Sequence, residues 1–269
     1  MGRPQKRQDY GSGVYRRSIL LHAEGGRATG ELEDDFHHFR AHIEHDGQCV
    51  TAVRGEALRV PWTTCPESAR PLKQLEGLAV GCSLHAAATH APPSAQCTHL
   101  FDAAWLAVAF AGLGRDGERR WDIAVPDRKS GRTTATLERD GELVLRWEVD
   151  RNDILDPPPF AGHRLVGGFG RWAQQTLDAE LAEAALILQR GLFIAMGRRH
   201  DFDAMRSADE HVDTMGSACY TFGPDVVTRA LRVHGSVRDY SARPQAVLAE
   251  RPPVIDPDTP DAPDTPDER

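Results

Sequence analysis

The chain lacks the signatures that most often announce a function. It has no GxSxG, no GxGxxG after a strand, no Walker A sequence and no HExxH. Nucleophile-elbow hydrolases, dinucleotide folds, P-loop proteins and the commonest zinc peptidases are therefore not indicated. Its five cysteines, Cys49, Cys65, Cys82, Cys97 and Cys219, form no CxxC pair, which argues against a zinc ribbon. An odd number of cysteines without secretory context predicts free thiols and a cytoplasmic protein. The polar start, MGRPQKRQDYGSG, has no signal-peptide core, and Lys6 breaks the myristoylation pattern. The best apolar run, residues 101–110, is far short of the roughly 20 residues a membrane helix needs. No basic face suggests nucleic acid. The net charge is -8, but residues 251–269 hold five Asp, one Glu and two Arg. Half of the excess thus lies in that stretch, and the rest is only mildly acidic.

What is present is enough apolar residue, 40% of 269, for one large domain or two small ones. Residues 1–13 read as a disordered arm. Residues 14–23 read as a strand, 29–45 as one long strand, and 48–58 as its partner across the Asp46-Gly47 turn. Cys65-Pro66-Glu67 marks a helix start, with Pro suited to the first turn. Thr98 caps a buried helix over 99–113. Residues 120–125, 132–139 and 142–149 form a second meander, turning at Asp140-Gly141. The apolar spacing of Leu177, Leu181, Leu188, Leu192 and Met196 predicts one long helix over 170–199. A short helix is expected over 224–233. The low-complexity residues 251–269 cannot bury a core and read as a disordered tail. The fold class is α+β: antiparallel meanders packed against helices. Two lobes, 14–114 and 118–250, enclose a cleft between them. The alanine-rich helix face suits a homo-oligomer as well as a core.

Chemistry concentrates in residues 30–106. In Asp34-Asp35-Phe36-His37-His38, a strand puts Asp35 and His37 on one face and Asp34 and His38 on the other. A carboxylate beside an imidazole orients it and raises its basicity, so His37 or His38 is the candidate base. Arg59 is a fixed positive charge able to hold an anion, and Trp62 offers an apolar wall. Cys65, at a helix start, should have a lowered thiol pKa. Cys97 and His99 flank the start of the buried helix, His99 serving as a second acid/base group. A Cys2His2 metal set from Cys65, Cys97, His99 and a strand histidine needs long-range convergence, so no metal and no cofactor are expected. Tyr220 could reach the pocket from the C-terminal part. His211 and His234 read as lone structural histidines.

Over about residues 16–114, the combination Leu32-x-Asp34-Asp35, Arg59-x-Pro61-x-x-x-Cys65-Pro66, Leu75-x-Gly77 and Cys97-Thr98-His99-Leu100 resembles a bacterial domain family of unknown function. The hallmark of that family is the Cys-Thr-His-Leu run. Some of its members are similar to proteins encoded among enzymes of lignin-derived aromatic breakdown. The resemblance implies a small aromatic substrate and a lyase that removes formaldehyde from a hydroxymethyl side chain. The N-terminal half is also similar to the iron–sulfur scaffold fold, which would give Cys65 and Cys97 as ligands. The third cysteine of that fold is missing, and Cys49 or Cys82 would replace it poorly. The expectation is thus a cytoplasmic, cofactor-independent lyase. The alternatives are an iron–sulfur or sulfur-carrier scaffold, or a protein that binds an aromatic ligand without converting it.

Overall fold

Alternation along the first strand decides which way the molecule faces. Tyr15, Arg17, Ile19, Leu21 and Ala23 are all buried, while most residues between them are only half-buried. A computed structural model describes residues 5–216 and 218–255. In it this strand, β1 (Val14–Glu24), lies at the centre of one eight-stranded antiparallel sheet. The others are β2 (Arg27–Asp34), β3 (His38–His45), β4 (Val50–Arg59), β5 (Gly117–Pro126), β6 (Arg132–Arg139), β7 (Glu142–Asp150) and β8 (Asp153–Asp156). The order across the sheet is β4-β3-β2-β1-β5-β6-β7-β8. The two expected meanders are real, but they join edge to edge. β1 pairs with β5 from Val14 opposite Pro126 to Ala23 opposite Gly117, so one sheet runs through both expected lobes. With its helices this is an α+β fold.

Helices cover the face that carries Tyr15 and Leu21. They are α2 (Thr98–Ala111), α3 (Phe169–Thr176) and α4 (Ala179–Ala195), while α1 (Leu84–His90) packs on the turn at Pro71–Leu75. α2 is buried on nearly all sides and packs on β1, β2 and β3. Its approach depends on Gly30, where a Cβ would lie 2.1 Å from the Ala103 carbonyl oxygen. α4 packs on β1, β5, β6 and β7, and an ion pair of 3.0 Å between Asp102 and Arg190 ties the two helices together. The opposite face of the sheet is polar. His38, Arg40, Glu31 and Glu56 pair there at 2.7–3.2 Å. The C-terminal segment crosses this face, where Tyr240 donates to Glu33 at 2.6 Å and the Leu248 N–H does so at 2.6 Å.

Four expectations need correction. The long strand over 29–45 is a hairpin that reverses at Asp35–His37. The Asp34 carboxylate accepts the Phe36 and His37 N–H groups, each at 2.8 Å, and the Asp34 N–H closes the turn on the His37 carbonyl. The long helix over 170–199 is broken into α3, α4 and a tight turn at Met196–Arg199. Leu177 is extended, and Asp178 starts a new helix by accepting the Leu181 N–H at 2.9 Å. The helix over 224–233 shrinks to one turn, Val227–Arg229, and Arg232 then bridges to Trp62. The described part of the arm, residues 5–13, is held in place: the Arg7 N–H bonds the Arg199 carbonyl and the Asp201 N–H bonds the Gln5 carbonyl. The expected tail falls, beyond Ile255, outside the described residues. Among the described residues no helix is long and apolar enough to cross a membrane.

Candidate active site

The site grows out of the β2–β3 turn. Asp34 is the last residue of β2 and points to the helix-covered face, where it is fully buried. One carboxylate oxygen accepts from the Tyr15 hydroxyl at 2.8 Å and from Arg17 at 2.6 Å. The other takes the two turn N–H groups and His37 Nδ1, at 3.0 Å. Burial alone would raise the Asp34 carboxyl, but the His37 and Arg17 charges and the His37 hydrogen bond outweigh it and hold it well below the usual range. A charged Asp34 fixes the His37 tautomer: Nδ1 carries the proton, and the Nε2 lone pair is left for a ligand. Burial pulls the His37 pKa down, against the pull of Asp34. The imidazole is therefore neutral at neutral pH and able to accept a proton.

The start of α2 brings His99 onto the same spot. Its ring stacks on His37 with centroids 3.8 Å apart and planes 24° off parallel. Burial and the His37 charge push the His99 pKa well below normal. Its Nδ1 lies 3.8 Å from the Cys97 sulfur, and its Nε2 is buried with no hydrogen-bond partner. Buried polar atoms in native folds are nearly always satisfied, so an orphan nitrogen on a residue that lines a cavity invites a ligand. Asp34, His37 and His99 also offer ligand atoms within 4.8 Å of one another. Rings lying nearly face to face send their in-plane lone pairs side by side rather than toward one ion. The Asp34 oxygen nearest His37 is already holding three N–H groups. The trio is better suited to proton handling than to metal ligation.

His37 and His99 stand on the wall of a cavity of about 290 Å³. Its body is apolar and aromatic: Phe36, Trp62, Phe193, Ile194, Phe202 and Phe222. The β2–β3 turn, residues 61–68 after β4 and the start of α2 supply one side, and residues 193–232 supply the other. Trp62 and Tyr220 line it as expected, although the Tyr220 hydroxyl is engaged by Glu67 at 2.9 Å. Cys65, Cys97 and Cys219 line it too. The expected thiol activation does not occur. Cys65 begins only a short 3-10 turn, and burial pushes its pKa up to about 12. Burial likewise raises Cys97 well above normal and raises Cys219.

The remaining candidates lie off the cavity. His38 is on the polar face, with Nε2 2.7 Å from Glu31. Asp35 pairs with buried Arg198 and is not the partner of His37; burial carries its pKa up to about 7 despite Arg198. Arg59 is buried beneath the turn, donating to the carbonyls of Asp34, Asp35, His37 and Ser236 and to Glu33 at 2.6–3.3 Å. Its guanidinium builds the turn that presents His37 and is not open to a substrate anion. Sequence reasoning did not see Tyr15 and Arg17 behind Asp34, nor His200 and His211 on the cavity wall. The Asp-x-x-His spacing was the readable signal for Asp34, because an Asx turn brings residues three apart together. Compared with models of known protein families the chain matches none, and it matches no curated protein either.

Proposed function

We propose that the chain is an enzyme of aromatic-compound breakdown, acting as a cofactor-independent carbon–carbon lyase. The observation that carries this reading is the Asp34–His37 pair, with His37 stacked on His99, at the wall of an aromatic-lined cavity. An apolar cavity of about 150 Å³ takes one benzene ring. The cavity here is about twice that, which suits a small two-ring compound. The five free cysteines agree with a reducing, cytoplasmic setting.

The chemistry follows from a neutral base in an apolar site. His37 Nε2 takes the proton of a substrate hydroxymethyl group. The bond between that carbon and the next one breaks, and the hydroxymethyl carbon leaves as formaldehyde. A free carbanion is out of reach for an imidazole base, so the substrate needs an oxygen leaving group on the neighbouring carbon. The electron pair then forms a C=C bond as the oxygen departs, and the proton on His37 passes to it. His99 Nε2, as the N–H tautomer, donates a hydrogen bond to the developing negative charge. His99 thereby fills the role sequence reasoning gave to Arg59.

The scaffold alternative rests on thiolates, and burial keeps Cys65, Cys97 and Cys219 protonated at neutral pH. The decisive experiment incubates pure protein with hydroxymethyl-bearing aromatic dimers and assays formaldehyde. Stoichiometric formaldehyde from the wild type and a loss of about 100-fold or more in His37→Ala are expected. Tight binding without any formaldehyde would leave only the binding-protein reading.

A further inference from the structure

The cavity has a second set of imidazoles that the reaction above does not use. His200 and His211 both line it, with ring centroids 5.6 Å apart. His211 is only 4% exposed, and the Nδ1 atoms of both rings are buried without a hydrogen-bond partner. Together with His99 Nε2, these are three orphan imidazole nitrogens on residues that line one cavity. Their spacing divides them into two ends. Phe36 touches His37 at 6.1 Å between centroids and Phe202 at 5.5 Å. Phe202 in turn touches His200 at 6.2 Å and His211 at 5.9 Å. Two phenyl rings therefore stand between the imidazole pairs.

We propose that His200 and His211 form a distal subsite that takes the phenolic hydroxyl of an elongated, two-ring ligand whose reacting end lies at His37 and His99. The inference rests on the aromatic-substrate reading above and narrows its substrate class to phenols. An imidazole nitrogen without a partner needs a donor or an acceptor according to its tautomer, and a phenol hydroxyl can serve as either. A carboxylate would bring only acceptors and a full charge that neutral imidazoles do not offset. The cation on this wall, Arg232, is already engaged by the Pro61 and Phe202 carbonyls and by Asp203. Burial lowers the His200 pKa and the Arg199 and Lys6 charges lower it further, so the ring is neutral and able to share a hydrogen bond with a phenol. The apolar rings between the two ends match the body of such a ligand.

Calorimetric titration of the full chain with bibenzyl, para-hydroxybibenzyl and para-carboxybibenzyl tests this without relying on turnover. The hydroxyl should tighten binding to the wild type by about tenfold over bibenzyl, the scale of one buried hydrogen bond. That advantage should vanish in His211→Leu and persist in His37→Ala. Equal affinity of bibenzyl and its phenol for the wild type overturns the subsite, and because this comparison needs no variant, a misfolded mutant does not blur it. Loss of the advantage in His37→Ala alone also overturns it, as does tightest binding by the carboxylate. If none of the three binds, the aromatic reading itself falls and the subsite with it, an outcome distinct from binding that ignores the hydroxyl.

Discussion

One carboxylate organises the site. Asp34 accepts from Tyr15, Arg17, two backbone N–H groups and His37, so its charge is fully compensated in the interior. The same contacts decide the protonation of His37, and that yields a pH prediction. The base must be neutral, and burial lowers its pKa below the ordinary value of about 6.5. A group active when deprotonated keeps working down to its own pKa. The acid limb of kcat/KM should therefore fall below pH 6.5, and an acid limb above that value would remove His37 as the base. The cysteines give a second prediction at this scale. With the Cys65 pKa at about 12 and Cys97 well above normal, neither forms much thiolate in the folded protein. Iodoacetamide at mildly alkaline pH should leave both unmodified in the native chain and label both in concentrated guanidinium, as read by peptide mass spectrometry. Rapid native labelling of Cys65 would revive a thiolate role.

Elements place these residues by close approach rather than by length. α2 delivers Cys97 and His99 because its middle lies directly on β2, and Gly30 makes that contact possible. In Gly30→Ala the new Cβ would meet the backbone of Ala103, which cannot swing aside as a side chain can. Overpacking of this kind costs about 1–3 kcal/mol, so the thermal midpoint should drop by several degrees. An unchanged midpoint would mean that α2 has room to shift. The strands were readable from alternation, and β6, Arg132–Arg139, carries the bounds expected of it. At Asp35–His37 the Asp34-x-x-His37 spacing is the one local sign of a reversal, and with no Gly, Pro or Asn in the stretch it reads as part of a continuous strand. The turn exists because Arg59, from another strand, gathers the carbonyls of Asp34, Asp35 and His37. No local pattern records a contact that distant. The break in the long helix was missed for the opposite reason: apolar spacing continues across Asp178, and the capping bond there outweighs it.

At the scale of the whole molecule, β1 pairing with β5 turns two meanders into one sheet with a helix-covered face and a polar face. Composition and alternation pointed to both meanders, but pairing between distant strands leaves no trace in either. For the same reason the cavity could be expected between the two halves, while its wall from residues 193–232 could not be named beyond Tyr220. The polar face makes the last prediction. Glu31 joins His38 and Arg40 across β2 and β3, and its side chain is 13% exposed. Burial alone would raise its pKa, but the hydrogen bonds and charges of His38 and Arg40 bring it down from 4.5 to about 2. A carboxyl whose folded pKa is depressed adds stability that is complete above its unfolded pKa and disappears as pH falls through the folded one. The window here runs from pH 4.5 down to about 2, and the contribution above it is at most about 3 kcal/mol. Glu31→Gln should therefore be less stable than the wild type at pH 7. It should also lose less stability between pH 4.5 and 2, so that the two denaturation curves converge in acid. Urea titrations of both chains across that range measure this directly, and parallel curves would show that the polar face is held together by something other than Glu31.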